Sequence, residues 1–124
     1  MNYVDGFVLP VEEKRLAEYW KIARHAGKIW REHGALEYFE CVADDVKAGK
    51  VTSFPQSVKL KPGEIVVFAW IVYKSRAHRD RVNAKVMKDP RLMPMMDPKK
   101  KMPFDMKRMF FGGFKIVVGL TERG

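Results

Sequence analysis

The sequence holds a single cysteine in 124 residues. Cys41 therefore has no partner for an intramolecular disulfide, and a lone thiol suits a reducing compartment better than a secreted one. No apolar run approaches the ~20 residues that a membrane-spanning helix requires. The longest, Ile65 to Tyr73, has the length of a strand. The opening MNYVDGFVLP carries no basic region ahead of an apolar stretch and does not read as a signal peptide. A cytoplasmic location is the expectation. Also missing are a phosphate-cradling glycine loop, a dinucleotide fingerprint, zinc-ligand spacing and a nucleophile elbow. Their absence gives no ground to expect a cofactor or a metal.

What is present is a globular composition, 47% hydrophobic and 31% charged, on a chain of single-domain length spanning 1–124. Lys and Arg number 24 against 15 Asp and Glu, a net charge of +9 that favours polyanions in general.

Residue periodicity sets out the elements. Tyr3 to Leu9 alternates as a strand, with Tyr3, Asp5, Phe7 and Leu9 on one face, and Pro10 is expected to end it. Glu12 and Glu13 suit a helix N-terminus. The spacing of Leu16, Tyr19, Trp20, Ala23, Ala26, Gly27 and Trp30 predicts a helix running to about His33, with Gly34 as its stop. Its outer face offers Lys14–Glu18 and Lys28–Glu32 at i,i+4. Leu36 to Ala43 alternates again. Ile65 to Tyr73 is apolar on both faces and must be covered on both. Ser75 caps a second helix that reaches Asp89, with His78, Val82 and Val86 inward. Met109 to Val118 is a last strand, where Gly112–Gly113 marks a bulge or a close backbone approach. The connections 44–63 and 90–107 have the length of functional lids, interface arms or disordered segments.

Strand, helix, strand, strand, helix, strand is the ferredoxin-like βαββαβ order of an α+β domain: a four-stranded antiparallel sheet with both helices on one face. The other face is left open. Because the third strand is apolar there too, a second copy packed sheet against sheet is the economical cover, which predicts a homodimer.

Five stretches carry a family resemblance over nearly the whole chain: VDGFVLPV, WREHGALEY with ECVADD, KVTSFPQSVKL, SRAHRDRVNAKVMKDPR and MPFDMKRMFFGGFK. Together they resemble the YbaA-like bacterial proteins of domain-of-unknown-function family 1428. The resemblance implies a ferredoxin-like fold of the dimeric α+β barrel superfamily. It implies no reaction and no catalytic residue set.

Candidate chemistry is sparse. His78 suits a general base or a ligand, or else a structural role at the helix start. Asp5, inside the first strand, needs a cationic partner, Arg76 or Arg108 by type, or a raised pKa. Tyr38 and Glu40 share a strand face. Trp20, Trp30, Trp70, Phe68 and Phe111 supply surface for a flat apolar ligand or for the core. Cys41 alternates with Phe39 and Ala43 as a small hydrophobe. Seven of the eight methionines lie between Met87 and Met109, which suits an adaptable lid better than a soft-metal site at Met93, Met95 and Met96. The leading expectation is a homodimer that binds a small apolar or aromatic molecule between sheet and helices, lined by His78, Trp70, Asp5 and Tyr38, with cofactor-independent catalysis as its extension. The alternative is nonspecific association with RNA or DNA through Lys99, Lys100, Lys101 and Arg108, though no aromatics interleave that cluster.

Overall fold

A computed structural model of the chain describes residues 2–92 and 101–122. The elements run β1 (Tyr3–Glu12), a 3-10 turn (Glu13–Arg15), α1 (Leu16–Glu32), β2 (Glu37–Val42), a single helical turn α2 (Phe54–Ser57), β3 (Glu64–Tyr73), α3 (Arg76–Met87) and β4 (Phe110–Lys115). The four strands form one antiparallel sheet in the order β2-β3-β1-β4. This is the split βαβ arrangement that the order of elements predicts.

Strand β1 passes through Pro10 instead of ending there and pairs with β3 as far as Glu12. The ladder with β4 stops earlier, at Val8–Phe110. Glu12 donates its N–H toward the β4 side, to the Pro103 carbonyl at 2.9 Å. Pro10, two residues back, aims its missing N–H at the same side, beyond the end of β4, so no ladder bond is lost. Strand β4 is shorter than expected, and beyond it the Ile116 N–H continues the pairing, to Asn2 O at 3.0 Å. The β1–β4 register is unbroken across Gly112–Gly113, so there is no bulge. The close approach is real: a Cβ on Gly113 would collide with the side chains of Arg79 and Tyr3. Gly34 stops α1 at φ 119°, in the left-handed region that favours glycine. Ser75 caps α3 by accepting the His78 N–H at 3.0 Å.

The helices lie over the sheet face that carries Tyr3, Asp5, Phe7, Leu9 and Val11 of β1 with Val67, Ala69, Ile71 and Tyr73 of β3. The core there divides in two. One cluster gathers Tyr3, Ile29, Ile71, Tyr73, Val82 and Val86; the other gathers Leu9, Val11, Tyr19, Ala23 and Val67. Small side chains stand near the division, with Ala23, Ala26 and Gly27 on α1 and Ala69 on β3. Larger groups there would fill the space between helix and sheet; these leave it hollow.

The opposite face carries Val66, Phe68, Trp70 and Val72 of β3. At one corner the β2–β3 connection covers it, with Val58 and Leu60 against Val8 and Val66. The remainder is open and aromatic: Phe39 is 47% exposed, Phe68 40%, Phe110 47% and Phe114 63%. Gly6 and Gly112 pair across β1 and β4, and nothing lies within 4 Å of where a Gly6 Cβ would stand. The face is therefore dented beside Trp70.

Candidate functional site

Between α1 and the sheet lies a cavity of about 490 Å³. That volume falls within the roughly 300–1,000 Å³ of small-molecule sites. Phe7, Leu9, Ala69 and Ile71 form its floor, and Tyr19, Ala23, Ala26 and Trp30 of α1 form its roof. Leu92, Met102, Phe104, Met106 and Met109, from the described ends of the 90–107 connection and the residue after Arg108, close one side. Met102, Met106 and Met109 thus contribute wall. Met93, Met95 and Met96 lie outside the described residues.

One polar group interrupts these walls. Glu40, pointing inward from β2, accepts a hydrogen bond from the Tyr19 hydroxyl at 2.7 Å and another from the Tyr38 hydroxyl at 2.7 Å. Burial raises the Glu40 carboxyl above its ordinary value, and the two phenols oppose that rise. Burial first, and the Glu40 charge second, push both phenols up. Gly27 makes the arrangement sterically possible: its Cβ would stand 2.8 Å from Tyr38 Cδ1, so any side chain there would displace the ring that holds Glu40.

The raised carboxyl fixes the sign of a pH effect. Between its unfolded and folded pKa values, the folded chain binds a proton that the unfolded chain has released. The stability Glu40 contributes is therefore fully present below the unfolded value and is lost as pH rises through the folded one. Glu40→Gln is expected to lessen the fall in urea stability between about pH 5 and pH 8. A variant whose pH profile runs parallel to the parent would reject that assignment.

Of the four expected site residues, three are not at this cavity. Tyr38 lines it. Trp70 does not: it lies on the opposite sheet face, with ring centroids 5.2 Å from Phe39 and 5.5 Å from Phe68. His78 stands at the first turn of α3, where Nδ1 accepts the Lys74 N–H at 2.9 Å and the ring meets Tyr73 edge-on. Burial, then the nearby Lys74, Arg81 and Lys85, lower its pKa. Asp5 is buried on the helix face and pairs with neither Arg76 nor Arg108. Its partner is Arg79, whose Nε lies 3.2 Å from Oδ1. Burial raises the Asp5 carboxyl, and Arg79, Tyr73 and Asn83 oppose the rise.

Arg108, offered above as a phosphate contact, is committed elsewhere. Its guanidinium takes Glu64 at 2.5 and 2.7 Å, Asp105 at 2.9 Å and the Lys59 carbonyl at 3.0 Å. It pins the return of the 90–107 connection, as Arg15 does by donating to the Lys101 and Met102 carbonyls at 2.6 and 3.0 Å. The outgoing end is held by Arg91, on Asp89 at 2.8 Å and Glu32 at 2.6 Å. Lys99 and Lys100 lie outside the described residues, and Lys101 is exposed. Among the described residues no three His, Cys, Asp or Glu side chains converge on a metal position, and no helix is long and apolar enough to cross a membrane.

Several solved structures share this architecture. SnoaB from Streptomyces nogalater, a cofactor-independent oxygenase, superposes with a TM-score of 0.58 at 13% identity, covering 98% of each chain. A NIPSNAP domain protein from Burkholderia xenovorans gives 0.56 at 12% identity, over 97% of this chain and 99% of that one. A dimeric ferredoxin-like protein from an uncultured marine organism gives 0.54 at 12% identity, over 97% and 100%. At these identities the likeness is one of fold, that of ferredoxin-like, dimeric α+β barrel proteins. In sequence, the uncharacterized Escherichia coli K12 protein YbaA is 46% identical over 118 residues, covering 95% of this chain and 98% of that protein. The family model for a protein of unknown function, DUF1428, matches residues 2–106, and the chain belongs to that family.

Proposed function

We propose that this protein is a homodimeric binder of a small apolar or aromatic molecule, held in the cavity beneath α1. The observation that carries the reading is the contrast within that cavity: apolar and aromatic walls with one convergent polar group, Tyr19–Glu40–Tyr38. Such walls take up an apolar body, and a few placed polar atoms orient it. A carboxylate has about four lone-pair sites, and the phenols occupy two, so Glu40 retains capacity for a ligand hydroxyl or N–H. Catalysis without a cofactor is the extension of the same reading. Glu40, with its raised carboxyl, is the group placed to take a proton from such a ligand. The cofactor-independent oxygenase on the same fold supports that extension as an analogy of fold.

The test uses a neutral fluorescent probe, N-phenyl-1-naphthylamine. Its emission is expected to rise and saturate near one probe per chain. Ala26→Phe, which places a ring in the hollow, is expected to weaken binding by about tenfold or more while the thermal transition stays cooperative. A folded parent that fails to bind the probe, or a folded variant that binds it equally well, would set the reading aside.

A further inference from the structure

A second hollow, of about 590 Å³, lies between α1 and β2 and shares Ala23, Tyr38 and Glu40 with the first as walls. Its floor is apolar and aromatic, with Trp20, Gly27 and Val42 beside the Tyr38 ring, and its rim is cationic. Arg24, Lys28 and Arg31, at i, i+4 and i+7, bring three positive charges to one strip of α1.

A strip of cations on a helix is ordinarily a solvated face balanced by neighbouring acids, and the i,i+4 spacing assigns Glu32 to Lys28. The structure makes a different pairing. Glu32 is taken by Arg91 at 2.6 Å, and Glu18, six residues before Arg24, is taken by Arg15 at 2.6 Å. Lys28 and Arg24 thus have no carboxylate partner among the described residues. Arg31 spends Nη1 on the Ala35 and Leu36 carbonyls at 2.7 and 3.0 Å. Glu40 is the sole acid in the cleft wall, and its two oxygens are engaged by Tyr19 and Tyr38. Three cations against one carboxylate leave the cleft electropositive above an aromatic floor. An aliphatic chain or a neutral ring makes no use of those charges. A ligand with an anionic head does, because charge-assisted hydrogen bonds to Arg and Lys are stronger than neutral ones.

We infer that the α1–β2 cleft is an anion-binding annex of the cavity, and that the ligand is an amphipathic acid. Its apolar body lies in the inner hollow and its carboxylate, sulfonate or phosphate head meets Arg24, Lys28 and Arg31. The inference rests on the cavity reading above and narrows it to a class of ligand. Tyr38, which lines both hollows, is the positioning residue between body and head.

The experiment compares two probes with the same aromatic skeleton: neutral N-phenyl-1-naphthylamine and its sulfonate, 8-anilino-1-naphthalenesulfonate. Both are titrated at about 0.15 M salt, where the screening length of roughly 8 Å mutes remote charge. The parent is expected to prefer the sulfonate. The double variant Arg24→Ala/Lys28→Ala is expected to bind the sulfonate about fivefold more weakly, with neutral-probe affinity unchanged. Both side chains are exposed, so the fold is retained. Lys74→Ala/Lys85→Ala removes the same charge from exposed positions around α3 and is expected to keep the preference. Neutral binding with a sulfonate preference that survives the first double variant, or that the second abolishes equally, overturns the annex and leaves the cavity standing. Loss of neutral binding in the parent overturns both.

Discussion

A glutamate at Phe39 or Phe114 is expected to turn a two-chain particle into a single chain. The reason lies in the sheet face that the helices leave bare. Phe39, Phe68, Phe110 and Phe114 are each at least 40% exposed, and Trp70 stands among them beside the dent at Gly6 and Gly112. Exposed apolar patches of this kind mark an interaction surface. The dent beside the indole gives one chain both a recess and a projection, the two shapes that a two-fold interface matches copy to copy. Phe114, at 63% exposure, contributes little to the stability of one chain, so Phe114→Glu is expected to leave the thermal transition of an isolated chain nearly unchanged. In the assembly the same substitution buries a charge without a partner, which costs several kcal/mol and is incurred twice by symmetry. Sedimentation velocity decides the matter: the parent is expected to run at twice the mass of the variant. A parent that sediments as one chain at micromolar concentration removes the homodimer from the proposal.

The second large effect is one of stability. Arg79→Ala is expected to cost about 3 kcal/mol, the lower end of what removing one partner of a buried ion pair costs. Arg79 reaches from α3 over the end of the sheet, with Nε 3.2 Å from Asp5 and Nη2 3.2 Å from the Tyr3 hydroxyl, and its guanidinium lies 5.1 Å from the Tyr3 ring centroid. Asp5 is buried, and burial already raises its carboxyl while Arg79 is present. Without Arg79 the rise is greater. A folded pKa above the unfolded one means stability present at low pH and lost as pH climbs, so the cost is expected to be smaller at pH 5 than at pH 8, by about 1 kcal/mol or more. Adding Asp5→Asn to the variant removes the unpaired charge and is expected to restore part of the loss. A cost equal at both pH values and unmoved by Asp5→Asn would instead assign the effect to lost packing on Tyr3.

Much of this architecture is legible in the residues. The βαββαβ order, α1 with its stop at Gly34, the Ser75 cap and the close approach at Gly113 follow from spacing and from the chemistry of single residues. Alternation along β3, however, gives parity and not side. Because Ile65, Val67, Ala69 and Ile71 are as apolar as Val66, Phe68, Trp70 and Val72, only the three-dimensional structure shows that Trp70 turns away from the helices. His78 shares a helical stripe with Val82 and Val86, yet it sits in the first turn, where a free backbone N–H outcompetes the core for its ring. The pair at the centre of the candidate site, Tyr19 and Glu40, lies 21 residues apart on different elements. Its sequence signal was a hydroxyl and a carboxylate on otherwise apolar faces, each needing a partner when buried. The Asp5–Arg79 and Glu64–Arg108 pairs give no local signal at all, because either carboxylate has several arginines to choose from.

The return of the 90–107 connection has a second consequence. Where β4 has ended, Glu12 bonds Pro103, and Val11 pairs with Phe104 in an isolated bridge. The same Phe104 forms a wall of the cavity. The cavity wall is therefore also a cap on a bare strand edge, and Pro10 within that edge withholds one of its donors. Unpaired strand edges template pairing between chains and lead to aggregation. Shortening this connection to enlarge access to the cavity would uncover the edge of β1 in the same step, so self-association into insoluble material is the route by which such a chain would fail.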